Sequence, residues 1–134
     1  DRVKDPANLG GALRAAGCFG ADLVLVAGGR IGKHPADTTK AWRHIPCMHT
    51  DDLMAATPYG CTPVVIEIHP RAFPLERFIH PERAMYIFGP EDGSVRADIV
   101  DRAPIVLRIG STHCLNLAAA VNVVLYGRTA KGEA

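Results

Sequence analysis

Apolar runs of strand length recur along the chain, and segments of helical pattern separate them. The predicted strands cover residues 23–27, 63–68, 84–88 and 105–109. Residues 23–27 are apolar without interruption, which is typical of a strand buried on both faces of a parallel sheet. Strands that alternate with helices predict an α/β fold, in which helices cover a parallel sheet.

The predicted helices differ in how much of their surface is apolar. Asn8 is a suitable N-cap for a first helix that runs to about residue 19. The last helix, over residues 117–126, is hydrophobic nearly all round and is expected to be buried in the core or at an interface. Three shorter helices are predicted over residues 38–42, 51–56 and 95–102, the second of them capped by Asp51.

Open α/β sheets bind ligands beyond the carboxyl ends of their strands. In this chain that rule selects the loop after Ile68, the turn over residues 88–91 and the stretch over residues 109–116. Gly89 allows close approach of a backbone, and the proline that follows restricts the turn, so Glu91 is placed at a strand end. The sequence has neither GxGxxG nor a Walker loop, which disfavours a classical dinucleotide or nucleoside triphosphate site.

Length, charge and cysteine usage narrow the class of protein. The 134 residues suffice for one domain, and no apolar run approaches the roughly 18 residues of a membrane span or reads as a signal peptide. The net charge of +1 provides no general attraction for nucleic acid, so such a substrate would need a local basic patch or a site shared by two subunits. Four irregularly spaced cysteines predict reduced thiols and a cytosolic protein.

Three segments together resemble the SpoU/TrmH branch of the SPOUT methyltransferases. Residues 5–16 are similar to that family's motif 1, in which Asn and Arg stand six residues apart, and residues 86–91 are similar to motif 2. Residues 105–116 with the helix that follows are similar to motif 3, where Cys-Leu-Asn stands in place of Ser-Leu-Asn. The resemblance covers residues 1–128 in the family's order and spacing.

The resemblance implies a fold, a cofactor and an assembly. The fold is a single-domain parallel-sheet α/β knot, in which the C-terminal part threads through a loop as a trefoil. The cofactor is S-adenosylmethionine, and two subunits pair through their first and last helices as a homodimer. The family's first strand would lie mostly before Asp1, so residues 1–134 are expected to be one methyltransferase domain lacking part of that strand.

The resemblance also assigns residues to roles. The catalytic positions are Asn8, Arg14, Glu91 and Asn116, and the cofactor-binding positions are Glu67, Ile68, Gly89, Ile109, Cys114 and Leu115. Without the resemblance, Arg14 would be interpreted as a solvated surface charge and Glu91 as an ordinary turn residue. Asn8 and Asn116 would each be interpreted as a helix cap. Two departures put activity in question: Cys114 replaces a hydroxyl with a weaker hydrogen-bonding group, and Ser94 stands where the family usually has Gly.

Arg14 would reach the ribose in a site completed by the partner subunit. A guanidinium is effectively always protonated, which favours electrostatic stabilisation of a developing alkoxide over a role as base. The family resemblance implies the base role instead. In either case Glu91 would fix the guanidinium through a bidentate contact.

Basic side chains around one predicted loop are either a solvated surface or a patch for RNA phosphates. They are Arg30, Lys33, His34, Lys40, Arg43 and His44. The nearby ligand types His44, Cys47 and His49 fit no standard zinc spacing, so no metal is predicted. The pair His113–Cys114 is not predicted to be a nucleophilic pair, because adjacent loop residues rarely face each other.

The leading functional hypothesis is therefore a ribose 2′-O-methyltransferase acting on RNA, with tRNA favoured over rRNA and no membrane partner. A second hypothesis is a SPOUT-like RNA-binding protein with impaired catalysis, supported only by Cys114 and Ser94. A third is a plain α/β nucleotide-binding module, which would require the motif matches to be coincidental. Binding of S-adenosylmethionine would separate these hypotheses.

Overall fold

The computed structural model describes residues 1–28, 43 and 45–132. All the strand pairs found in these residues are parallel. The elements in chain order are α1 (Pro6–Cys18), β1 (Val24–Ala27), β2 (Cys47–Thr50), β3 (Thr62–Ile66), β4 (Phe73–Pro74), a 3-10 helix (Leu75–Arg77), β5 (Ala84–Phe88), α2 (Ala97–Arg102), β6 (Ile105–Arg108) and α3 (Leu117–Ala130). The described residues combine α-helices with parallel strands, so the predicted α/β class is confirmed. The helix predicted over residues 38–42 lies outside the described residues.

The strands form two sheets. One pairs β1 with β2, and the other has the order β4-β6-β3-β5. β3 is paired on both sides: Val64 lies opposite Tyr86 of β5 and opposite Ile105 of β6. Val64 and Val65 are completely buried, as expected for a strand in the middle of a parallel sheet that is covered on both faces.

The segment before α1 connects the two sheets. The backbone nitrogen of Asp1 donates to the Phe88 carbonyl of β5 at 2.8 Å, and the amide of Arg2 donates to the Ala27 carbonyl of β1 at 2.8 Å. Between β1 and β5 lies a largely apolar cavity of about 560 Å³, lined by both strands and by α1 and α3. Gly89 is part of its lining, whereas Ile68 and residues 109–116 are not.

The first helix begins earlier than predicted, because Asp5 and not Asn8 is its N-cap. The Asp5 side chain accepts a hydrogen bond from the Ala7 amide at 2.8 Å, and Pro6 occupies the first helical position. Proline suits that position because its missing N–H would have had no partner within the helix. The prediction of Asn8 as cap is therefore wrong, and Asn8 lies inside the helix with its side chain available for other contacts.

The helix predicted over residues 51–56 is also wrong. Asp52, rather than Asp51, accepts hydrogen bonds from the amides of Met54 and Ala55 at 3.0 and 3.2 Å, which closes an isolated turn. Such side-chain bonds compete with helix formation, and the buried Leu53 ties the turn to the core. The strand β2 was not predicted, because its sequence Cys-Met-His-Thr has no apolar run.

The helix α3 is longer and less buried than its sequence suggests. It extends to Ala130, and only Val121 and Val124 are buried, whereas Val123 and Tyr126 are 39% and 62% exposed. One face packs closely on α1, because a Cβ placed on Gly11 would lie 2.7 Å from the Cβ of Ala118. The helix thus presents an uncovered apolar face. The trefoil threading of the chain remains a prediction.

Candidate active site

The carboxyl ends of three strands meet at one edge of the larger sheet. Ile66 of β3 lies opposite Phe88 of β5 on one side and Leu107 of β6 on the other. The loops over residues 67–72, 89–96 and 109–116 therefore start side by side, because all three strands are parallel. This confirms that the three stretches selected from the sequence share one edge.

Glu91 connects the turn after β5 to the beginning of α1. Its Oε1 accepts from the Asn8 side chain at 3.2 Å and from the Asp5 amide at 3.4 Å, and its Oε2 accepts from the Lys4 amide at 3.0 Å. Burial, the largest single influence, raises the pKa of Glu91, but the hydrogen bonds from backbone amides and from Asn8 outweigh it, so the pKa is lowered. Glu91 is thus held as a carboxylate that organises the first turn of the helix.

Arg14 does not join this cluster within one chain. Its side chain is exposed, and it makes no hydrogen bond or ion pair with any residue in the described ranges. Six residues separate it from Asn8, which corresponds to about 9 Å along the helix axis and about 120° around it. The predicted bidentate contact between Glu91 and Arg14 is therefore absent in a single chain, because the amides of residues 4 and 5 and the Asn8 side chain occupy the carboxylate.

Gly89 is required where the chain leaves β5. A Cβ at this position would lie 2.7 Å from the amide nitrogen of Val95 and 3.1 Å from the carbonyl carbon of Ser94, so backbone fills the space of a side chain. Position 94 does not require glycine, because the φ angle of Ser94 is not positive. In the described part of the chain, Arg2 is the only non-glycine residue with a positive φ. The departure at Ser94 therefore carries no backbone penalty.

Contacts that were not predicted hold the same turn from the side of the N-terminal segment. The Arg2 guanidinium donates to the Ser94 carbonyl at 2.8 Å, and the amide and Nε of Arg96 each donate to the Asp1 carboxylate at 3.1 Å. Asp1 lies 95 positions from Arg96, and no local pattern in the sequence signals a pair so far apart.

Glu67 follows β3, and both of its carboxylate oxygens accept backbone amides. Oε1 accepts from Ile68 at 2.9 Å, and Oε2 accepts from Val95 at 2.9 Å. The Ile68 side chain, in contrast, is 72% exposed at the strand edge. The two neighbouring positions assigned to cofactor binding therefore face different surroundings.

The third loop, after β6, is largely exposed. Asn116 caps α3, because its Oδ1 accepts from the Ala119 amide at 2.8 Å, as its sequence position suggested. Cys114 and Leu115 are exposed next to it, and Ile109 packs at the edge of a core cluster. The structure thus places these residues beyond the same sheet edge, where none of them forms a hydrogen bond with Asn8 or Glu91.

Two arginines that sequence reasoning missed secure the loop after β3. Arg71 donates to the Val100 and Ala103 carbonyls at the end of α2, and Arg108 of β6 donates to the Ala72 carbonyl at 2.7 Å. Carbonyls at a helix end lack partners within the helix, so an arginine placed there satisfies them. Exposed arginines bound to backbone leave no signature in a sequence.

Other chemistry is sparse in the described part of the chain. No three His, Cys, Asp or Glu side chains there group as metal ligands, and all four cysteines are free thiols. Of the basic loop residues, only Arg43 lies within the described ranges, where it is exposed. None of the described helices has the length and apolar character needed to cross a membrane.

Solved structures with the same fold are numerous. AviRb, a SpoU methyltransferase from Streptomyces viridochromogenes solved with AdoMet, superposes with a TM-score of 0.82 at 20% identity, covering 98% of this chain and 58% of that one. The TrmH/SpoU tRNA modifying enzyme of A. aeolicus gives a TM-score of 0.81 at 19% identity, covering 98% and 74%. A structure concerning 2-OH methylation of C/U34 on tRNA gives 0.78 at 23% identity, covering 99% and 88%.

These likenesses show the fold, and the chain spans 58% of the length of AviRb. Comparison with curated protein sequences gives no match. The model of the SpoU rRNA Methylase family, in contrast, matches residues 1–126, which is nearly the whole chain. The chain belongs to the SpoU rRNA Methylase family.

Proposed function

We propose that this domain is an S-adenosylmethionine-dependent RNA methyltransferase that methylates a ribose 2′-hydroxyl. The observation that carries the proposal is the contact of Asn8 with Glu91, which joins two of the family's motifs at the sheet edge where three strand ends meet. Family membership supports the reaction class, and the likeness to an AdoMet-bound SpoU methyltransferase supports the cofactor.

The strand-end edge suits S-adenosylmethionine. Bound there, the cofactor would supply an electrophilic methyl group on a sulfonium. Ile68 and Leu115 present exposed apolar side chains that suit an adenine ring, and Gly89 leaves room for nothing larger than hydrogen beside the backbone of residues 94–95. We assign Ile68, Gly89, Ile109, Cys114 and Leu115 to this binding surface.

Arg14 is assigned to the ribose. Its charge is permanent, so the guanidinium would stabilise the alkoxide that develops as the 2′-hydroxyl attacks the methyl group, while the hydroxyl proton passes to water. Glu91 keeps Asn8 and the first turn of α1 in a fixed position, from which the helix carries Arg14 outward to solvent. Asn116 orients the start of α3 through its cap.

A homodimer would complete such a site. Arg14 is exposed and lies away from Glu91 of its own chain, while α3 offers the uncovered apolar residues Val123 and Tyr126. Pairing of two copies through α1 and α3 would bury that face and bring Arg14 of one chain to the strand-end edge of the other. The trefoil knot belongs to the same proposal.

The proposed substrate is tRNA in the cytosol. The chain covers 88% of the protein whose structure concerns 2-OH methylation of C/U34 on tRNA, and this likeness supports tRNA as the substrate. The impaired-enzyme hypothesis loses one of its two supports, since the backbone at Ser94 has an ordinary conformation.

The test is calorimetric titration with S-adenosylmethionine, followed by transfer of a labelled methyl group to bulk tRNA and to rRNA. We expect saturable binding and incorporation into tRNA that alkaline hydrolysis shows to be 2′-O-linked. A chain that binds no cofactor would refute the proposal, and labelling of rRNA alone would refute the choice of tRNA.

A further inference from the structure

Glu67 is a carboxylate that the proposed chemistry leaves without a defined task. It stands directly after β3 and is half-buried, and the bonds of its side chain run to backbone amides rather than to a cation. The Val95 amide that it binds lies 28 positions away, beyond the turn that contains both Gly89 and Glu91. Glu67 therefore joins the ends of two neighbouring strands.

The bonded amide lies at the tightest point of that turn. The Val95 nitrogen is the atom that a Cβ on Gly89 would meet at 2.7 Å, so the bond from Glu67 holds backbone directly against Gly89. The Val95 side chain is 4% exposed and packs in the main core cluster. The turn is thus anchored at Val95 by one side chain in the core and one carboxylate at the sheet edge.

The opposite side of the same turn is held by Glu91. That carboxylate accepts from the amides of Lys4 and Asp5 and from the Asn8 side chain, all in or beside the first turn of α1. The turn over residues 89–95 is therefore fastened to β3 through Glu67 and to α1 through Glu91. Loss of Glu67 would break the link to β3, whereas loss of Glu91 would still leave the contacts of the turn with Arg2 and Asp1.

We infer that Glu67 is a positioning residue, which holds the turn over residues 89–95 in register with the end of β3 and does not itself contact the cofactor. This differs from the cofactor-binding role that the family resemblance assigned to it. The inference rests on the proposed function for its effect on methyl transfer, while the structural link itself does not.

The deciding measurement is hydrogen exchange of the Val95 amide by NMR, in the full chain without cofactor. Glu67→Gln keeps the size of the side chain but removes its charge and leaves one accepting oxygen for two amides, so the bond to Val95 is either lost or weakened. We expect the Val95 amide to exchange about five- to tenfold faster, as for a lost single hydrogen bond in a locally opening segment. Glu82→Gln, the same chemical change at an exposed glutamate, is the matched control and should leave the rate unchanged.

Kinetic measurements on the Glu67→Gln variant distinguish a positioning role of Glu67 from direct contact with the cofactor. With Glu67→Gln we expect kcat to fall about tenfold at saturating cofactor and RNA. The NMR signals of the amides of residues 89–95 should already be shifted before cofactor is added, because the turn is looser. Unchanged Val95 exchange in the cofactor-free variant, together with weaker cofactor binding, would overturn the inference and make Glu67 a ligand. If Glu67→Gln does not fold, Glu67→Asp, which is too short to reach both amides, should give the same faster exchange.

Failure of the proposed function and failure of the positioning role of Glu67 would give different results. A wild-type chain that binds no S-adenosylmethionine would refute the proposed function, yet the Val95 exchange rates would still confirm or refute the link from Glu67. Normal cofactor binding and transfer with unchanged Val95 exchange in Glu67→Gln would refute the positioning role alone.

Discussion

The side-chain amide of Asn8 donates to Oε1 of Glu91 across 3.2 Å, although the two residues are 83 positions apart. The contact places the motif at the beginning of the chain against the motif after β5. The contact also fits the position of Asn8 inside α1. A capping side chain would bond to amides of its own helix, whereas the Asn8 side chain bonds to Glu91.

Removal of either partner should reduce methyl transfer. Glu91→Gln deprives the amides of Lys4 and Asp5 of one charged acceptor, and Asn8→Ala removes the remaining donor. We expect each variant to lower kcat at least about tenfold, as for loss of a group that fixes catalytic geometry. In a double-mutant cycle the two effects should be clearly less than additive, because both break one cluster. Full additivity would show that the contact does not contribute to catalysis.

The lowered pKa of Glu91 predicts the sign of its pH dependence. A carboxylate whose pKa in the folded state lies below its unfolded value of about 4.3 stabilises the fold above that pH, and the contribution disappears as the pH falls through the folded-state pKa. Because Glu91 is exposed, the effect should be below about 1 kcal/mol. Urea unfolding of wild type and Glu91→Gln should differ by a constant amount above pH 5 and converge in more acidic buffer. A difference that grows on acidification would contradict the assignment.

Arg14→Ala should abolish transfer while leaving cofactor affinity nearly intact, because the exposed guanidinium is assigned to the ribose and not to the cofactor. Arg14→Lys should retain a small part of the activity, since it keeps the charge but loses the planar fork. Single-turnover rates and calorimetry on the same preparations test this. A large loss of cofactor binding in Arg14→Ala would show that the assigned role is wrong.

Two glycines of one turn should respond differently to alanine. Gly89→Ala forces a Cβ to within 2.7 Å of the Val95 nitrogen, whereas a Cβ on Gly93 meets nothing closer than the Pro90 side chain at 3.7 Å. We expect Gly89→Ala to lose cofactor binding at least about tenfold, and Gly93→Ala to bind as the wild type does. Calorimetric titration of both variants is the measurement. Equal behaviour of the two would mean that the tight backbone approach has no role in binding.

The packing of α1 on α3 offers a similar comparison of glycines in one helix. Gly11→Ala brings a methyl group to 2.7 Å from the Ala118 Cβ, while the Cβ of Gly17→Ala would lie 3.7 Å from Ile45 Cδ1, an ordinary contact. Overpacking should destabilise Gly11→Ala by about 1–3 kcal/mol. Alanine at Gly17 should stabilise the helix by about 0.4–1 kcal/mol. Chemical denaturation that ranks the two variants in the opposite order would contradict the close approach of the helices.

Local patterns were sufficient to predict four of the strands and the edge where the site lies. The strand over residues 84–88 has the predicted bounds, and residues 23–27 and 105–109 each differ from the observed strand by one residue. These strands are apolar runs paired in a parallel sheet, so burial alone identifies them. β2 mixes apolar and polar side chains, and within the described residues it pairs with β1 alone, so no continuous apolar run marks it.

Caps and long-range contacts could not be predicted in the same way. Asp5 and Asn8 are both good N-caps by residue type, and Asp51 and Asp52 are equally suitable neighbours, so propensity does not choose between them. The choice depends on tertiary contacts: Asn8 is engaged by Glu91, and the turn at Asp52 is held by the buried Leu53. The links from Glu67 to Val95 and from Asp1 to Arg96 depend on strand order, which no local pattern contains.

The attachment of the turn over residues 89–96 to Asp1, Arg2 and residues 4–8 has a consequence for folding. Contacts that span more than eighty positions cost loop-closure entropy before they stabilise anything, so we expect them to form late. A partly folded chain, or one still emerging from the ribosome, would have its central strands but no assembled strand-end edge. The ability to bind a ligand there should therefore appear only when folding is complete. In a refolding experiment, the recovery of cofactor binding should lag behind the recovery of secondary structure.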